Sequence, residues 1–506
     1  MSTSETREIE RKYAVPDHAV IPPVDHVAPV AEVRAHDAVL LDAQYFDTDD
    51  LALIGNKITL RKRTGGADEG WHLKLPGNGF RREIHHPLTE TATVPEALLM
   101  HLHAVLRGRD VEPVVRLATS RTVLDLLDVD GDHLAEICDD LVTSTPQIAG
   151  ATPNQWREWE VELQDGDGSL LDAVEPVLLS AGAGTDAGPS KLARALGSLL
   201  PSAAPEPAWP TNPTVSDVAR RYLAAESARL KDHDAGVRLH ADDAIHQMRV
   251  AARRLRSVLS SYRDLLPGDL SQDLREELKA LADSLGDARD NEVMLARLQR
   301  LLDEQPADRV LGPVRDRIIS TLTKRYNDAH AAAMQFMTSS RYYSLLDSLD
   351  ALAHEVDFSD IGDVHASDGL IDVFDRDWKR VRKAVRHAKS LQDRAEREVA
   401  LHDVRKSAKR LRYGMDSVSG VLGRPARKIA KAASVVTEIL GDHNDSVITS
   451  QVIGELAAEA FARGENTFTY GRMQGIEDAG ALVSQDDYRD ALRSLDHLRF
   501  DQWKQL

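Results

Sequence analysis

The 506-residue sequence lacks several features that would each define a class of protein. It has one cysteine, Cys138, so it can form neither an internal disulfide nor a cysteine-based metal cage. No run of about 18 apolar residues occurs, which predicts that no helix spans a membrane. The polar N-terminus shows no apolar secretory signal. We therefore expect a cytoplasmic protein.

Negative charge exceeds positive charge, and aromatic rings are scarce. The formal net charge is −19, which argues against general affinity for nucleic acid or anionic membranes. Aromatic residues make up only 5%, so stacking of single-stranded bases is not expected. With 42% hydrophobic and 29% charged residues, the composition is that of a soluble globular protein. Its length predicts about two or three domains.

The character of the sequence changes at the stretch LLPSAAPEPAWPTNPTVSD, which has five prolines and indicates an extended linker. Before it, short runs alternate apolar and polar residues between Gly, Pro and Asp, as strands do. After it, apolar residues recur three and four apart, as in amphipathic helices. We predict an α+β multidomain chain, with an antiparallel β barrel over 1–200, a linker over 201–213 and an all-α bundle over 214–506.

Charged residues alternate along several predicted strands of the first half. Glu8, Glu10 and Lys12 share one face, because successive strand side chains point to opposite faces. The alternation recurs in the runs LRKR, RRE and EWEVEL. One such triplet is usually a solvated edge, but charges of both signs on several strands suit a closed barrel with an ionic interior. Carboxylates there suit Mg²⁺ or Mn²⁺ and the cations suit a polyanion, the combination that phosphoryl transfer needs.

Several of these motifs together resemble a known family. The ExExK start and the runs TLRKRTGG, WHLKLPG, RRE, SRTVLDLLDVDGDHLAEICDD, REWEVEL and SKLARAL are similar, in this order, to the CYTH domain of the triphosphate tunnel metalloenzymes. The resemblance implies a tunnel barrel that binds a triphosphate and a divalent cation. It implies catalytic roles for Glu8, Glu10 and Lys12. It implies metal binding by Glu8, Glu10, Glu160, Glu162, Glu136 and Asp139. It implies triphosphate contacts by Lys12, Arg61, Arg63, Lys74, Arg81, Arg121 and Lys191, with Arg116 as a further candidate.

The second half contains an internal duplication. IHQMRVAARRLRSVL matches LHDVRKSAKRLRYGM, and LADSLGDARDNEVM matches VTEILGDHNDSVIT. The offset is 156 residues from His246 to His402 and 155 from Gly286 to Gly441, which indicates two repeats of one helical unit. On a helix, His246, Arg249, Arg253 and Arg256 of the first segment share one face. Such a face is usually paired with acids, but this segment has none, so we predict a polyanion surface.

This half resembles the CHAD domain, which implies binding of inorganic polyphosphate. The residues that match its motif are His246, Arg249, Arg253, Arg254, Arg256, His402, Arg405, Lys406, Lys409, Arg410 and Arg412. The histidines could be phosphate donors, helix-start residues or metal ligands, although neighbouring cations disfavour a metal. Asp290 and Asp445 are interpreted as partners that hold neighbouring arginines.

The function that these patterns favour is Mg²⁺- or Mn²⁺-dependent hydrolysis of a triphosphate, inorganic triphosphate first, beside a polyphosphate-binding helical domain. Two alternatives stay open: an adenylate cyclase or thiamine triphosphatase activity in the same tunnel, and a non-catalytic scaffold that binds polyphosphate. The expected partners are a triphosphate and inorganic polyphosphate, with no specific nucleic acid and no membrane. The expected localisation is the cytoplasm, where the protein could associate with polyphosphate granules.

Overall fold

The computed structural model describes residues 4–76, 81–89, 93–164, 168–185, 188, 190–201, 209–354, 356–480 and 492, apart from the side chains of 4, 6–8, 394, 395 and 398. The chain divides into two compact units, Met1–Glu206 and Pro207–Leu506. Residues 202–208 of the predicted linker lie outside the described residues, as do 481–491 and 493–506 of the predicted helical domain.

The first unit is built on one antiparallel sheet with short helices. Its strands are β1 (Ser4–Glu8), β2 (Glu10–Val15), β3 (Glu32–Ala35), β4 (Val39–Asp47), β5 (Thr59–Thr64), β6 (Gly70–Pro76), β7 (Arg81–His86), β8 (Glu112–Leu127), β9 (His133–Pro146) and β10 (Asn154–Leu163). Its helices are α1 (Ala52–Gly55), α2 (Glu96–Leu99), α3 (His103–Leu106), α4 (Gly168–Ser180) and α5 (Lys191–Leu196).

The two edges of this sheet are bridged by one N-terminal segment. The strand order is β1-β7-β6-β5-β4-β8-β9-β10-β2, and β3 pairs with β8. Only Ile9 separates β1 from β2, so consecutive residues pair with β7 at one edge and with β10 at the other. Leu163 N donates to Ile9 O over 3.0 Å at this junction. The sheet therefore curls upon itself, which confirms the predicted antiparallel β architecture of the first half.

Alternation along β10 separates the core from the interior of the curl. Trp159, Val161 and Leu163 point outward and pack under α4 in a buried apolar cluster. The intervening glutamates therefore point inward. At one end, Leu192 and Leu196 of α5 pack against the sheet in a second cluster, which places Lys191, the first residue of α5, against the interior.

The second unit is helical among its described residues. Its helices are α6 (Val215–Asp232), α7 (Asp234–Arg238), α8 (Ala244–Ser261), α9 (Leu270–Ser284), α10 (Gly286–Asp303), α11 (Val314–Met337), α12 (Ser340–His354), α13 (Ala366–Ser390) and α14 (Arg394–Ala462), with a further helix over 468–480. Within α14, Gly423 has φ 61° and ψ −135°, a conformation open to glycine that breaks the helix just before Pro425. The prediction of an all-α second half is confirmed. Among the described helices, none combines the length and the apolar composition that a membrane span requires.

The two duplicated segments both form helices but are segmented differently. The first basic segment forms α8, and its companion motif begins α10 at Gly286. The second basic segment and its companion motif both lie in α14, on either side of the break, so Gly441 is inside a helix. In α8, Met248, Leu255 and Leu259 are fully buried, which leaves the basic face on the other side.

Candidate functional site

A polar cavity of about 100 Å³ lies inside the curled sheet. Its lining includes all seven basic residues predicted to contact triphosphate: Lys12, Arg61, Arg63, Lys74, Arg81, Arg121 and Lys191. It also includes three of the carboxylates predicted to bind metal: Glu10, Glu160 and Glu162. Residues from β2, β5, β6, β7, β8, β10 and α5 thus converge on one space.

Strand register explains why the acidic and basic residues of the two edges meet. In the β10–β2 ladder, Glu160 lies opposite Lys12 and Glu162 lies opposite Glu10. Residues directly opposite one another in an antiparallel pair have side chains on the same face. The inward-facing glutamates of β10 therefore lie beside Glu10 and Lys12 of β2 inside the cavity.

Glu160 is nearly fully buried and is surrounded by three cations. Its Oε1 accepts a hydrogen bond from Lys12 Nζ and lies 2.6 Å from Lys191 Nζ, while its Oε2 accepts from Arg121 Nη2 over 2.8 Å. Burial alone would raise the pKa of Glu160, but Lys12, Lys191 and Arg121 hold that pKa well below its usual range. Glu160 is therefore an ionised carboxylate at neutral pH.

Two further buried carboxylates hold Lys191. Its Nζ lies 2.9 Å from Asp140 Oδ2 and 2.8 Å from Glu158 Oε1. Although one oxygen each of Asp140, Glu158 and Glu160 lies close enough to share a metal ion, the ammonium of Lys191 contacts all three. This trio is therefore organised around a lysine.

Asp140 and Glu158 were not among the predicted site residues. Asp140 is fully buried and accepts two hydrogen bonds from Arg121, over 2.7 and 2.6 Å, and Trp156 Nε1 donates to Glu158 Oε2 over 2.6 Å. Glu158 could have been predicted, because it alternates with Glu160 and Glu162 in the run EWEVEL. Asp140 could have been predicted in place of Asp139, because it lies an even number of residues from Glu136 on the same strand.

Lys12 holds charge at the junction of the two edges. Its Nζ lies 3.0 Å from Glu10 Oε2, in addition to its bond to Glu160. Burial lowers the pKa of Lys12, but the two carboxylates more than compensate and the pKa is raised. Lys12 thus remains an ammonium at neutral pH, which makes it unsuited to accept a proton from water.

The opposite wall is organised by Glu83, which sequence reasoning placed in an alternating run but did not assign to the site. Glu83 Oε1 lies 2.8 Å from His72 Nδ1 and 3.9 Å from Arg61 Nη2, and Oε2 lies 3.6 Å from Lys74 Nζ. Burial would raise the pKa of Glu83, but these neighbours lower it strongly. Burial also lowers the pKa of His72 to about 4, so the ring is neutral.

Cations crowd this wall. Arg61 Nη1 donates to the hydroxyl of Tyr45 over 3.3 Å, and Arg63 pairs with Asp68. Burial, followed by repulsion from Arg61 and Arg121, lowers the pKa of Arg63 to about 9. Arg63 Nε is buried and has no hydrogen-bond acceptor in the described part of the chain. Such a wall favours an incoming polyanion.

Four other candidates of the first unit, Glu8, Glu136, Asp139 and Arg116, are not among the described residues that line the cavity. The backbone of Glu8 pairs opposite Arg81, and its side chain is outside the described residues. Glu136 lies opposite Glu162, on the same face of the sheet, but not in the cavity lining. Asp139, three residues on and therefore on the other face of β9, accepts from Arg157 Nε over 2.8 Å. Arg116 is exposed and donates to Asp42 over 2.9 Å.

In the helical unit, the two duplicated segments bring four basic side chains together: Arg249, Arg253, Arg405 and Lys409, named here the basic cluster. Burial, then repulsion from Arg405 and Arg253, lowers the pKa of Lys409 to about 8. Nε of Arg249, Arg253 and Arg405 is buried without a hydrogen-bond partner among the described residues. The basic cluster therefore has donor capacity that these contacts leave unused.

The companion motif of each repeat holds one arginine of the basic cluster. Arg249 Nη1 donates to Gly286 O over 2.9 Å and lies 3.3 Å from Asp290 Oδ1, as the interpretation of Asp290 expects. The guanidinium group of Arg405 packs against the backbone of Gly441, where an added Cβ would lie 2.8 Å from Arg405 Nη2. Glycine allows this close approach.

Other predicted polyphosphate contacts have separate partners. Arg254 pairs with buried Glu226 at 3.2 Å, and Arg410 lies 4.0 Å from Asp377. Three more lie near acids: Lys406 is 4.0 Å from Asp403, Arg412 is 4.0 Å from Asp416, and Arg256 shares a groove with Asp283.

Burial, with nearby cations, lowers the pKa of His246 and His402. Arg289, a neighbour of His246, was missed by sequence reasoning.

Comparison with known proteins identifies both units. A family model for the CYTH domain matches residues 6–187, and a family model for the CHAD domain matches residues 221–454. The N-terminal unit is thus a tunnel domain of the CYTH type, and the helical unit is a CHAD domain, as the motifs predicted.

Two mycobacterial relatives match this chain along nearly its whole length. "Uncharacterized protein Rv2226" of Mycobacterium tuberculosis strain H37Rv is 39% identical over 507 residues, which cover 97% of this chain and 96% of the relative. "Uncharacterized protein MT2285" of strain CDC 1551 matches to the same extent. This chain belongs to their family.

Solved structures resemble parts of the chain at low sequence identity. PptA from Streptomyces chartreusis has a TM-score of 0.45 and 20% identity, and the match covers 56% of this chain and 99% of that one. A putative adenylate cyclase from Bacillus halodurans has a TM-score of 0.29 and 21% identity, with 38% of this chain and 97% of that one covered.

Proposed function

We propose that the CYTH domain hydrolyses inorganic triphosphate with Mg²⁺ or Mn²⁺, and that the CHAD domain binds inorganic polyphosphate. The observation that carries the first part is the cavity lining, where seven basic side chains face five acidic ones across the curled sheet. Such a lining supplies charge both for a polyanion and for the cation that accompanies it.

The basic residues provide the phosphate subsite. Arg61, Arg63 and Arg121 present guanidinium forks that match phosphate oxygens, and lysines add point charges. Tyr45 is the single aromatic ring in the described lining, and its hydroxyl is engaged by Arg61. A nucleobase or thiamine ring would find no stacking face there, which favours an inorganic chain of phosphates.

The carboxylates fit a hard divalent cation. Glu10, Glu160 and Glu162 offer oxygen ligands from two adjacent strands, the donor type that Mg²⁺ and Mn²⁺ prefer. When bound, the cation would neutralise phosphate charge and lower the pKa of a coordinated water. Phosphate oxygens offer Lys12 and Lys191 alternative acceptors, so substrate binding would release Oε1 of Glu160.

The proposed reaction transfers the terminal phosphoryl group to water. The water oxygen bonds to the terminal phosphorus as the bridging P–O bond breaks, which yields orthophosphate and pyrophosphate. Glu10 or Glu162 accepts the water proton, while Lys12, already protonated, stabilises the phosphate charge. Positioning and charge neutralisation supply most of the rate enhancement in such reactions.

The basic cluster supports the second part of the proposal. Burial and then repulsion from neighbouring cations lower the pKa of Lys409, and three arginine Nε atoms there are buried without acceptors in the described residues. Phosphate oxygens would relieve both costs. The repeats supply two arginine-bearing helices, so a chain of phosphates could bridge them.

Phosphate release from inorganic triphosphate tests the tunnel. We expect release with Mg²⁺ or Mn²⁺, none with EDTA, and a loss of about 100-fold or more in Glu160→Gln and Glu10→Gln. Asp42→Asn, at an exposed pair outside the cavity, is the matched control and should retain full activity. Undiminished release by the two glutamate variants would overturn the proposal.

Polyphosphate binding tests the helical unit separately. Arg253→Ala and Lys409→Ala should each weaken binding, whereas Lys324→Ala, an exposed lysine paired on its own helix, should not. Equal effects of all three substitutions would show only diffuse charge attraction. Binding without hydrolysis of any triphosphate would instead support the scaffold alternative.

A further inference from the structure

A second group of metal-ligating side chains lies beside the tunnel cavity, on residues outside its lining. Asp125 is on β8, and His133 and Glu136 are on β9. One ligand atom of each lies within 4.8 Å of those of the other two. Within the described part, the ion pairs of Asp125 and Glu136 are with histidine rings, so no lysine fills this centre as Lys191 fills the other.

The distances within this group suit a shared metal ion better than hydrogen bonds. His133 Nε2 lies 3.6 Å from Asp125 Oδ1 and 3.7 Å from Glu136 Oε1. These separations exceed hydrogen-bond length. Ligand atoms placed tetrahedrally about 2.1 Å from one ion are separated by about 3.4 Å. The observed spacing is close to this value.

The Nε2 atom of His133, which lies near both carboxylates, is buried and also lacks a hydrogen-bond partner among the described residues. A buried polar nitrogen left unpaired costs free energy. A metal ion between the three groups would supply the missing interaction.

A β-bulge brings these side chains to one face. In the β8–β9 ladder, Asp125 lies opposite Glu136, but Leu127 lies opposite His133 after a shift in register. The extra residue, Leu134, turns His133 to the face of the two carboxylates. Bulges commonly re-aim side chains in this way near functional sites.

His36 orients Asp125 from the far side. Its Nε2 lies 2.7 Å from Asp125 Oδ2, which leaves Oδ1 directed to His133. Gln164 Nε2 donates to Glu136 Oε1 over a long 3.4 Å. Both contacts resemble the outer hydrogen bonds that hold the ligands of metal sites in place.

We propose that Asp125, His133 and Glu136 bind a divalent transition-metal ion of the Zn²⁺ type, with His36 as a positioning residue. The imidazole ligand favours Zn²⁺, Co²⁺ or Ni²⁺ over Mg²⁺, whereas the tunnel offers carboxylates. Three protein ligands leave a coordination position for water. The site adjoins the tunnel through the opposed pair Glu136 and Glu162, yet its ligands are separate from the cavity lining.

Co²⁺, a spectroscopic substitute for Zn²⁺, provides the test. The full chain, free of any histidine tag and stripped with EDTA, is titrated with Co²⁺ while its visible absorption is followed. We expect about one equivalent to bind with the intense bands of a low-coordinate site, displaced by Zn²⁺ and not by excess Mg²⁺.

Variants assign the signal to these residues. His133→Gln and Glu136→Gln should each abolish it, and His36→Gln should weaken Co²⁺ affinity by roughly 10- to 100-fold. Glu160→Gln should leave it unchanged, which separates this site from the tunnel and from the proposed hydrolysis. Circular dichroism verifies that each variant is folded. A folded wild-type chain that gives no such bands, or bands that persist in both His133→Gln and Glu136→Gln, would refute the site.

Discussion

Raising the pH from 7 to 9 should weaken polyphosphate binding, because Lys409 loses its proton over this range in the free protein. Burial and the neighbouring Arg405 and Arg253 lower the pKa of Lys409 to about 8. Below that pH the ammonium is present and attracts phosphate. Above it, binding must first restore the proton.

The magnitude follows from this pKa. At pH 9, one unit above it, about one-tenth of the free protein carries the charge. Bound phosphates should return the pKa to at least the ordinary lysine value of about 10.4, so the bound form stays protonated. Affinity should therefore fall about tenfold between pH 7 and 9, which is about 1.4 kcal/mol, with uptake of nearly one proton on binding at pH 9.

The assay is a titration of the full chain with polyphosphate at constant ionic strength and several pH values. Lys409→Arg is the matched variant, since Arg253 holds the equivalent position in the first repeat and arginine does not titrate here. Its affinity should stay nearly constant from pH 7 to 9. The reasoning fails if wild-type affinity is constant over this range, or if Lys409→Arg declines equally.

Two substitutions test other parts of the structure. Gly441→Ala places a methyl group 2.8 Å from Arg405 Nη2 and should weaken polyphosphate binding about fivefold. Gly286→Ala is the control, because the nearest arginine atom is 3.9 Å away, and it should not weaken binding. Equal effects of the two substitutions would contradict the assigned contact. Asp140→Asn leaves two buried cations short of a partner and should lower the unfolding free energy of the tunnel unit by about 3–5 kcal/mol in denaturant titrations. Its control, Asp42→Asn at an exposed pair, should cost less than about 1 kcal/mol, and similar costs for both would argue against a buried network.

Local periodicity explains how far the tunnel could be anticipated. Period-two alternation assigns a side chain to one face of its strand without knowledge of the neighbours. Arg61, Arg63 and Glu160 were recognised in this way, and the structure places all three in the cavity lining. Lys191, on a short helix with no strand period, was assigned by family resemblance and not by its own pattern.

Some site residues were assigned to the wrong face of a strand and others were left out, and both kinds of error have local causes. Asp139 was assigned to the metal by family resemblance, but it lies an odd number of residues from Glu136, so the strand turns it to the other face. The adjacent Asp140 faces inward. His133 reaches Asp125 only through a bulge, and a bulge leaves no reliable mark in the sequence.

The sequence alone determined the two-part architecture, the faces of most strands, the duplication of the helical half and the charged residue types of the tunnel interior and of the basic cluster. These properties depend on residues close together along the chain, whose periodicity and composition can be read directly. Only the tertiary structure decided which charges meet. Glu160 is held by cations from β2, β8 and α5, and the pKa of Lys409 is lowered by burial, by Arg405 and by Arg253 of the other repeat. Strand order and helix packing set such contacts, and both are non-local consequences of burying the whole core at once.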